Sequence, residues 1–380
     1  MTDSIDHHVL EQYDISQQIG QGAYGIVWKA TERTAPSSRP STQPTSYPSS
    51  SPSSRRPMSG KTVALKKCYD AFRNDIDSQR TFREVAYLKA MVHENIVSIQ
   101  RILPACGDRD LYIVFEFMQT DLSHVIKAKL LTDIHVRFIA YQLLRALKYM
   151  HSADLLHRDI KPSNILIDDS CHAKLCDFGL CRSIDETFGN LELTDYVMTR
   201  WYRAPEVLAG SKKYTKSVDL WSVGCIIGEM IRGRPLMAGA CTMSQLQKVF
   251  EVTGNPTDEI AASWQSPFAR TMLINAKAKR RLRLTELCHN NLPREAKHLM
   301  KRLFRLDPNE RITAQEGLEH EYLAEFHNPD TEPTYPHGPI NIGINDNTKL
   351  SADEYKMKLY SMIGEEGTQT KPRKVTLDGN

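Results

Sequence analysis

Apolar residues in the first third of the chain come in short, closely spaced runs. Residues 13–20 (YDISQQIG), 25–31 (GIVWKAT) and 61–67 (KTVALKK) have the length and the β-branched and aromatic content of strands. Glycines between the first two mark a tight turn. A helical stretch is expected from about Asp77 to Met91, and the apolar runs Ile96 to Leu103 and Leu111 to Phe117 complete a small antiparallel sheet. Beyond Asp121 the period lengthens. Val136, Ile139, Leu143, Ala146 and Met150 recur at alternating steps of three and four residues, which puts them on one face of a helix packed against a core. Short strands around Ile165 and Leu175 interrupt this pattern before helical segments run on to about Phe326. The expected class is α+β: a small antiparallel-β lobe carrying one main helix, and a larger α-helical lobe.

One stretch fits neither pattern. Prolines at 36, 40, 44, 48 and 52 recur every fourth residue among serines and threonines between Thr34 and Gly60. Such a tract cannot bury enough apolar surface to offset its ordering entropy, so residues 34–60 are expected to be a disordered insertion. It is read as a passive linker, with a phosphorylation platform centred on Ser51-Pro52 as the alternative. The charged, polar tail after Gly364 is expected to be mobile.

Composition narrows the class without naming it. The 380 residues are 41% hydrophobic and 25% charged with a formal net charge of +3, values that argue for neither wholesale nucleic-acid nor membrane binding. The basic run Lys277 to Arg283 reads as a solvated surface. The N-terminal MTDSIDHHVL lacks an apolar stretch, and the longest apolar segment, around Trp221 to Ile231, is broken by Ser222, Gly224 and Glu229. An intracellular protein without a membrane span is expected. Eight cysteines are scattered without a CxxC pair, a pattern of reduced thiols rather than of disulfides or a zinc site.

Candidate chemistry enters with GQGAYGIV. Gly20, Gly22 and Gly25 have the spacing that lets backbone amides approach phosphate oxygens, and a strand follows them, which favours a hairpin flap over a dinucleotide fold. VALK ends on Lys66 within the third strand, and Glu84 lies in the helical FREVAYL segment, where a carboxylate suits the anchoring of an ammonium aimed at phosphates. HRDIKPSN spans His157 to Asn164, DFG spans Asp177 to Gly179, and Ala204-Pro205-Glu206 follows. In this order and context the set resembles the eukaryotic protein kinases over residues 13–326.

That resemblance implies a bilobal fold with an N-lobe at 13–115, a hinge at 116–121 and a C-lobe at 122–326, preceded by a segment at 1–12. It also implies ATP and Mg2+ as cofactors. Phosphoryl transfer needs positioning and charge neutralisation more than covalent help. Asp159 is expected to accept the substrate hydroxyl's proton, Lys161 to meet the γ-phosphate, Lys66 with Glu84 to hold the α- and β-phosphates, and Asn164 and Asp177 to bind the metal. The nucleotide is expected against Ile19, Gly20, Gln21, Gly22, Ala23, Tyr24, Gly25, Val27, Ala64, Lys66 and Leu166, with adenine on the backbone of Glu116 and Met118. Phe115 takes the gatekeeper position, and Cys176 lines the same pocket.

TDYVMTRWYRAPEVL, residues 194–208, resembles the activation loop of the mitogen-activated protein kinases. Thr194 and Tyr196 then stand as the dual phosphorylation switch. Arg83, Arg158 and Arg182 are the expected partners of a phosphate on Thr194, and Arg200 and Arg203 of one on Tyr196. In that family the phosphorylated loop shapes a site for proline after the target Ser or Thr. Within it, YGIVWKA, YDAFRNDIDSQRTFREV, LYIVFEFMQTDL and NTKLSADEYKMKLYSMI resemble the atypical extracellular signal-regulated kinase 7/8 type. Asp195 in place of glutamate, the Pro/Ser insertion and the lack of a long C-terminal extension set the chain apart.

Residues 327–363 are expected to pack back on the N-lobe through Tyr355, Leu359 and Met362, ahead of a flexible tail at 364–380. The family's acidic docking patch is altered in HNPDTEP, where Asn328 and Thr331 replace acids and Asp330 and Glu332 stand beside them. Glu206 with Arg311 is expected as a buried ion pair, and Asp219 beneath the catalytic loop. The implied function is a proline-directed Ser/Thr kinase. Its partners are Ser/Thr-Pro protein substrates, an upstream dual-specificity kinase and a phosphatase, with no nucleic acid. A monomer in the cytoplasm, with the nucleus as second compartment, is expected. An inactive ATP-binding scaffold and a cyclin-dependent or glycogen-synthase-kinase-like enzyme are the alternatives.

Overall fold

The computed structural model describes residues 5–22, 25–33, 60–184, 199–211, 213–288, 292–344 and 349–364. Ala23, Tyr24, the Pro/Ser tract, Thr194, Tyr196 and the tail beyond 364 lie outside the described residues. The chain divides into two compact units, Met1–Asp77 with Ile99–Phe117, and Ser78–Ser98 with Met118–Asn380.

The first unit is built on a five-stranded antiparallel sheet. Strands β1 (Tyr13–Gly22), β2 (Gly25–Glu32), β3 (Thr62–Cys68), β4 (Ile99–Pro104) and β5 (Leu111–Glu116) lie in the order β1-β2-β3-β5-β4. A short helix, α1 (His7–Leu10), precedes them. Alternation along the strands separates two faces. Trp28, Ala30, Val63, Leu65, Tyr112 and Val114 are buried in one core with Ile5, Val9 and Tyr13 from the N-terminal segment. Register pairs Val27 with Lys66, Lys66 with Ile113, and Ala64 with Phe115, so these residues share the opposite face. Gly25 must lack a side chain, because a Cβ there would stand 2.1 Å from the Lys67 carbonyl oxygen.

In the second unit, β6 (Thr120–Asp121), β8 (Ile165–Ile167) and β9 (Ala173–Leu175) form a small sheet, and β7 (Leu155–Leu156) pairs with β10 (Arg182–Ser183). The rest is helical: α2 (Asp75–Ala90, in this unit from Ser78), α3 (Leu122–Ala128), α4 (Asp133–Ser152), α5 (Pro205–Leu208) and α6 (Ser217–Arg232). It continues through α7 (Thr242–Thr253), α8 (Asp258–Ser263), α9 (Ala269–Asn275), α10 (Leu284–Leu287), α11 (Arg294–Leu303), α12 (Ala314–Leu318) and α13 (Ala352–Gly364). The stripe expected on α4 is buried throughout: Val136, Ile139, Leu143, Ala146 and Met150 all face the core. No described helix is long and apolar enough to cross a membrane.

Two sequence expectations shift. The apolar run from Ile96 does not enter the five-stranded sheet until Ile99, because the backbone of residues 95–97 pairs with β9 instead: Val97 N–H donates to Leu175 O and Leu175 N–H to Asn95 O, each at 2.9 Å. Buried Gln142 completes this tie, its Oε1 accepting from Asn95 Nδ2 at 3.0 Å and from Ala173 N–H at 2.9 Å. For the same reason residues 78–98 group with the helical unit rather than with a lobe spanning 13–115. Phe82 lies 5.8 Å from the Tyr355 ring of α13, and Lys89 Nζ donates to Met362 O at 2.7 Å. Of the expected α13 anchors, Tyr355 and Leu359 are buried and Met362 is half-buried.

His93 makes this junction pH-sensitive. Its ring lies 4.9 Å from that of Tyr149 and Nδ1 accepts the Asn95 N–H, while buried Nε2 has no hydrogen-bond partner among the described residues. Burial, reinforced by the Arg145 charge, lowers its pKa to about 4. The unfolded chain therefore takes up a proton near pH 6.5 that the folded chain refuses. Stability is full above pH 6.5 and falls as the pH drops toward 4, by about 2 to 3 kcal/mol in all. Chemical denaturation from pH 7 to 4 should show this loss in the native chain, and a markedly flatter profile in His93→Gln.

Candidate active site

The loop after β7 is organised from below by one buried carboxylate. Asp219, in the first turn of α6, is 1% exposed and accepts three hydrogen bonds. They come from His157 N–H at 3.0 Å, Arg158 N–H at 2.9 Å and His151 Nε2 of α4 at 3.0 Å. Burial alone would raise its pKa, but the His151 donor, the nearby imidazoles and the Arg158 amide outweigh that and hold it below the usual carboxylate range. The loop turns sharply here, with Arg158 at φ +70, a left-handed conformation uncommon outside glycine. Its guanidinium donates to Leu180 O at 3.3 Å and lies 4.4 Å from the centre of the Tyr214 ring.

The turn delivers Asp159, 9% exposed, into a ring of donors. Oδ2 accepts from Lys161 Nζ at 2.6 Å and from Asn164 Nδ2 at 3.0 Å, and Asn164 Nδ2 also donates to Asp159 O at 2.9 Å. Oδ1 has no hydrogen bond among the described residues. One carboxylate oxygen is thus spent on positioning, and the other keeps its lone pairs for an incoming proton. His157 secures the geometry: its Nδ1 accepts the Asp159 N–H at 3.3 Å, so the ring hydrogen sits on Nε2, facing Cys176 O at 3.2 Å. The His157 ring meets buried Phe178 edge-on, at 5.1 Å between centroids.

Asp177 follows Cys176 with φ +64, and its Oδ1 lies 3.8 Å from Arg80 Nη2 of α2. Gly179 is flush against the same arginine, where a Cβ would meet Arg80 Cγ at 2.7 Å. Arg80 was not singled out by sequence reasoning, and the only signal for it is its place one helical turn before Glu84. The amide nitrogen of Asn164 is committed to Asp159, which leaves its side-chain oxygen for a ligand. That oxygen and the Asp177 carboxylate are hard donors of the kind a divalent cation such as Mg2+ prefers, and they are too few to bind it without ligands from substrate or water.

The remaining expected residues divide between the two units. Gly20, Gly22, Gly25, Val27, Ala64 and Lys66 belong to the sheet, as do exposed Ile19 and Gln21, with Phe115 and Glu116 at the end of β5. Lys66 Nζ stands 5.9 Å from the centre of the Phe115 ring. Met118, Leu166, Arg83 and Glu84 belong to the helical unit, where Arg83 and Glu84 are buried. Arg182 Nη1 donates to Cys181 O at 2.7 Å.

Residues 199–208 rest on fully used polar groups. The buried Gln245 side chain of α7 donates to Met237 O at 3.1 Å and accepts from Gly239 N–H at 2.7 Å, while Trp201 Nε1 donates to Gly239 O at 3.1 Å. Tyr202 OH donates to Glu229 at 2.7 Å. The expected Glu206–Arg311 pair is present, buried and two-pronged at 2.8 and 3.0 Å. Arg158, Asp159, Thr199, Tyr202, Arg203 and Tyr214 line one pocket that runs from Asp159 to the segment carrying Arg200 and Arg203. The two acids of HNPDTEP differ in exposure. Glu332 is buried and faces His327 Nδ1 at 2.8 Å and Lys148 Nζ at 3.5 Å, which leaves Asp330 as the exposed acid.

The family model of the protein kinase domain matches residues 53–323. The chain is 45% identical to mitogen-activated protein kinase 15 of Xenopus laevis over 94% of its own length and 58% of that protein's. It is 45% identical to extracellular signal-regulated kinase 2 of Dictyostelium discoideum over 98% of this chain and 97% of that one. With extracellular signal-regulated kinase 7 of Drosophila melanogaster the identity is 41%, over 95% of this chain and 38% of the relative. The chain therefore spans little more than half the length of the Xenopus relative and nearly all of the Dictyostelium one.

Replacing Asp219 with Asn keeps the volume but removes the charge and puts an amide NH2 where one carboxylate oxygen now accepts, facing either the Arg158 amide or the His151 and His157 donors. Thermal melts should show a loss of about 3–5 kcal/mol. Phosphoryl transfer should fall with it even at temperatures where the variant stays folded.

Proposed function

The chain belongs to the mitogen-activated protein kinases, and on that premise we propose that it is an ATP-dependent, proline-directed serine/threonine kinase switched by phosphorylation of Thr194 and Tyr196. The observation that carries this reading is the asymmetric Asp159 carboxylate, held through Oδ2 by Lys161 and Asn164 with Oδ1 left open. Bound ATP supplies the γ-phosphoryl group, and Mg2+ the positive charge that screens it.

The chain's own residues do the positioning. Asp159 orients the substrate hydroxyl and takes its proton, while Lys161, 2.6 Å from that carboxylate, carries its ammonium toward the γ-phosphate. Asn164 and Asp177 are the Mg2+ ligands in this reading. The family roles of Lys66 on the α- and β-phosphates, of Glu84 as its carboxylate partner and of Leu166 beneath adenine belong to the same proposal. So do those of residues 19–27, Ala64, Glu116 and Met118 around the nucleotide. Arg83, Arg158 and Arg182 are assigned to a phosphate on Thr194, and Arg200 and Arg203 to one on Tyr196. Proline after the target residue suits a pocket near Tyr202 and Arg203, because proline brings no amide hydrogen to be satisfied there. Ser/Thr-Pro proteins are the substrates, and an upstream dual-specificity kinase and a phosphatase set the switch. The chain acts as a monomer in the cytoplasm, with the nucleus as a second compartment.

Bacterially expressed chain should phosphorylate a Ser-Pro peptide and spare its Ser-Ala counterpart, with or without prior treatment by an upstream kinase. Asp159→Asn should bind nucleotide normally and lose about 100- to 10,000-fold in transfer rate. Phosphate on Thr194 and Tyr196, read by mass spectrometry, should track activity. Equal use of both peptides, or full transfer by Asp159→Asn, would sink the reading.

A further inference from the structure

Sequence spacing offers no zinc motif, yet the fold of the sheet unit gathers one imidazole, one thiol and one carboxylate, none of them part of the catalytic loop. Asp6, His8 and Cys106 present their ligand atoms within 4.8 Å of one another in the sheet unit. His8 and Cys106 are 98 residues apart in the chain. His8 Nε2 lies 2.9 Å from Pro104 O, and a carbonyl can only accept, so the ring hydrogen sits on Nε2 and the Nδ1 lone pair faces the sulfur. A backbone carbonyl that fixes the far ring nitrogen is the usual support of a metal-binding histidine.

The distances suit one ion in particular. Zn–S and Zn–N bonds of about 2.3 and 2.1 Å at a tetrahedral angle place sulfur and nitrogen about 3.6 Å apart. Cys106 Sγ and His8 Nδ1 are 3.7 Å apart. Asp6 Oδ2 is turned to the same loop, 2.7 Å from the Cys106 N–H, and Asp6 Oδ1 lies 3.8 Å from Lys67 Nζ. Lys67 is buried, with Asp110 Oδ2 at 3.5 Å on its other side. Two carboxylates and one ammonium leave a net negative charge; a thiolate and a dication bring the five groups to neutrality. One sulfur, one nitrogen and one oxygen, with a fourth position open beside the exposed Cys106, make a donor set for zinc rather than for magnesium or calcium.

We propose that Asp6, His8 and Cys106 form a Zn2+ site that clamps the N-terminal segment onto the connection between β4 and β5. The site is independent of phosphoryl transfer. Its consequence is structural: the bound ion fixes the segment whose Ile5 and Val9 complete the core beneath β2, β3 and β5.

Cobalt reads the site directly, because only a thiolate ligand gives a sulfur-to-metal charge-transfer band. Full-length chain stripped of metal and free of nucleotide should develop that band with tetrahedral d–d absorption, saturating at one equivalent of Co2+, and Zn2+ should abolish it. The band should persist in Cys241→Ser, vanish in Cys106→Ser and form about 10- to 100-fold more weakly in His8→Gln. Independently of any variant, Zn2+ should slow alkylation of Cys106 in the native chain at least tenfold and leave Cys241 unchanged. Absence of the thiolate band, its survival in Cys106→Ser, or equal alkylation of Cys106 with and without Zn2+ would each overturn the proposal, leaving a plain thiol–imidazole hydrogen bond.

Discussion

The loop that carries Asp159 hangs on one buried carboxylate beneath it. Asp219 is almost wholly enclosed, and a charge so placed is costly unless its oxygens are satisfied. Three N–H groups satisfy them, one from α4 and two from consecutive amides of the catalytic loop. Two adjacent amides reach one carboxylate only if the backbone folds over on itself, which is why Arg158 adopts a left-handed conformation. The next residue is Asp159. Its side chain emerges from this turn, and the protein's own hydrogen bonds hold its carboxylate in place.

The same economy of donors governs the next layer. His157 gives Asp219 its backbone amide and spends both ring nitrogens, one on Asp159 and one on the Cys176 carbonyl just ahead of Asp177. His157 thus holds Asp159 and at the same time the backbone leading to Asp177. Asn164 closes the loop, its amide nitrogen on Asp159 and its own carbonyl accepting from Cys176 N–H at 3.0 Å. Short motifs suffice for such a site because each residue holds its neighbours as well as its own place.

That local self-sufficiency explains what could be read in advance. The five strands and the α4 stripe were legible because period and turn glycines are written in contiguous residues, whereas the Glu206–Arg311 pair and Asp219 beneath the loop came only from the likeness to the protein kinases. What stayed hidden depends on partners far away in sequence. Nothing in Asn95-Ile96-Val97 says that its backbone will pair with Leu175 rather than with the neighbouring strand, since an apolar run looks alike in either ladder. Arg80 gives no sign of its contact with Asp177 beyond its place one helical turn before Glu84. Glu332 reads as an exposed acid in a polar stretch until His327 and Lys148 bury it.

Strand β3 shows how one ladder serves two ends at once. Lys66 and Lys67 are chemically identical neighbours, and the pleat sends them to opposite faces. Lys66 shares its face with Val27, Ala64, Ile113 and Phe115 and stays half-exposed. Lys67 shares its face with the buried core, where an unpaired ammonium would be untenable, and the N-terminal segment answers with Asp6 while the turn before β5 answers with Asp110. A slip of one residue in this strand would exchange the two environments, burying Lys66 and exposing Lys67. The Asp6–Lys67–Asp110 triad therefore secures the register on which the placement of Lys66 depends.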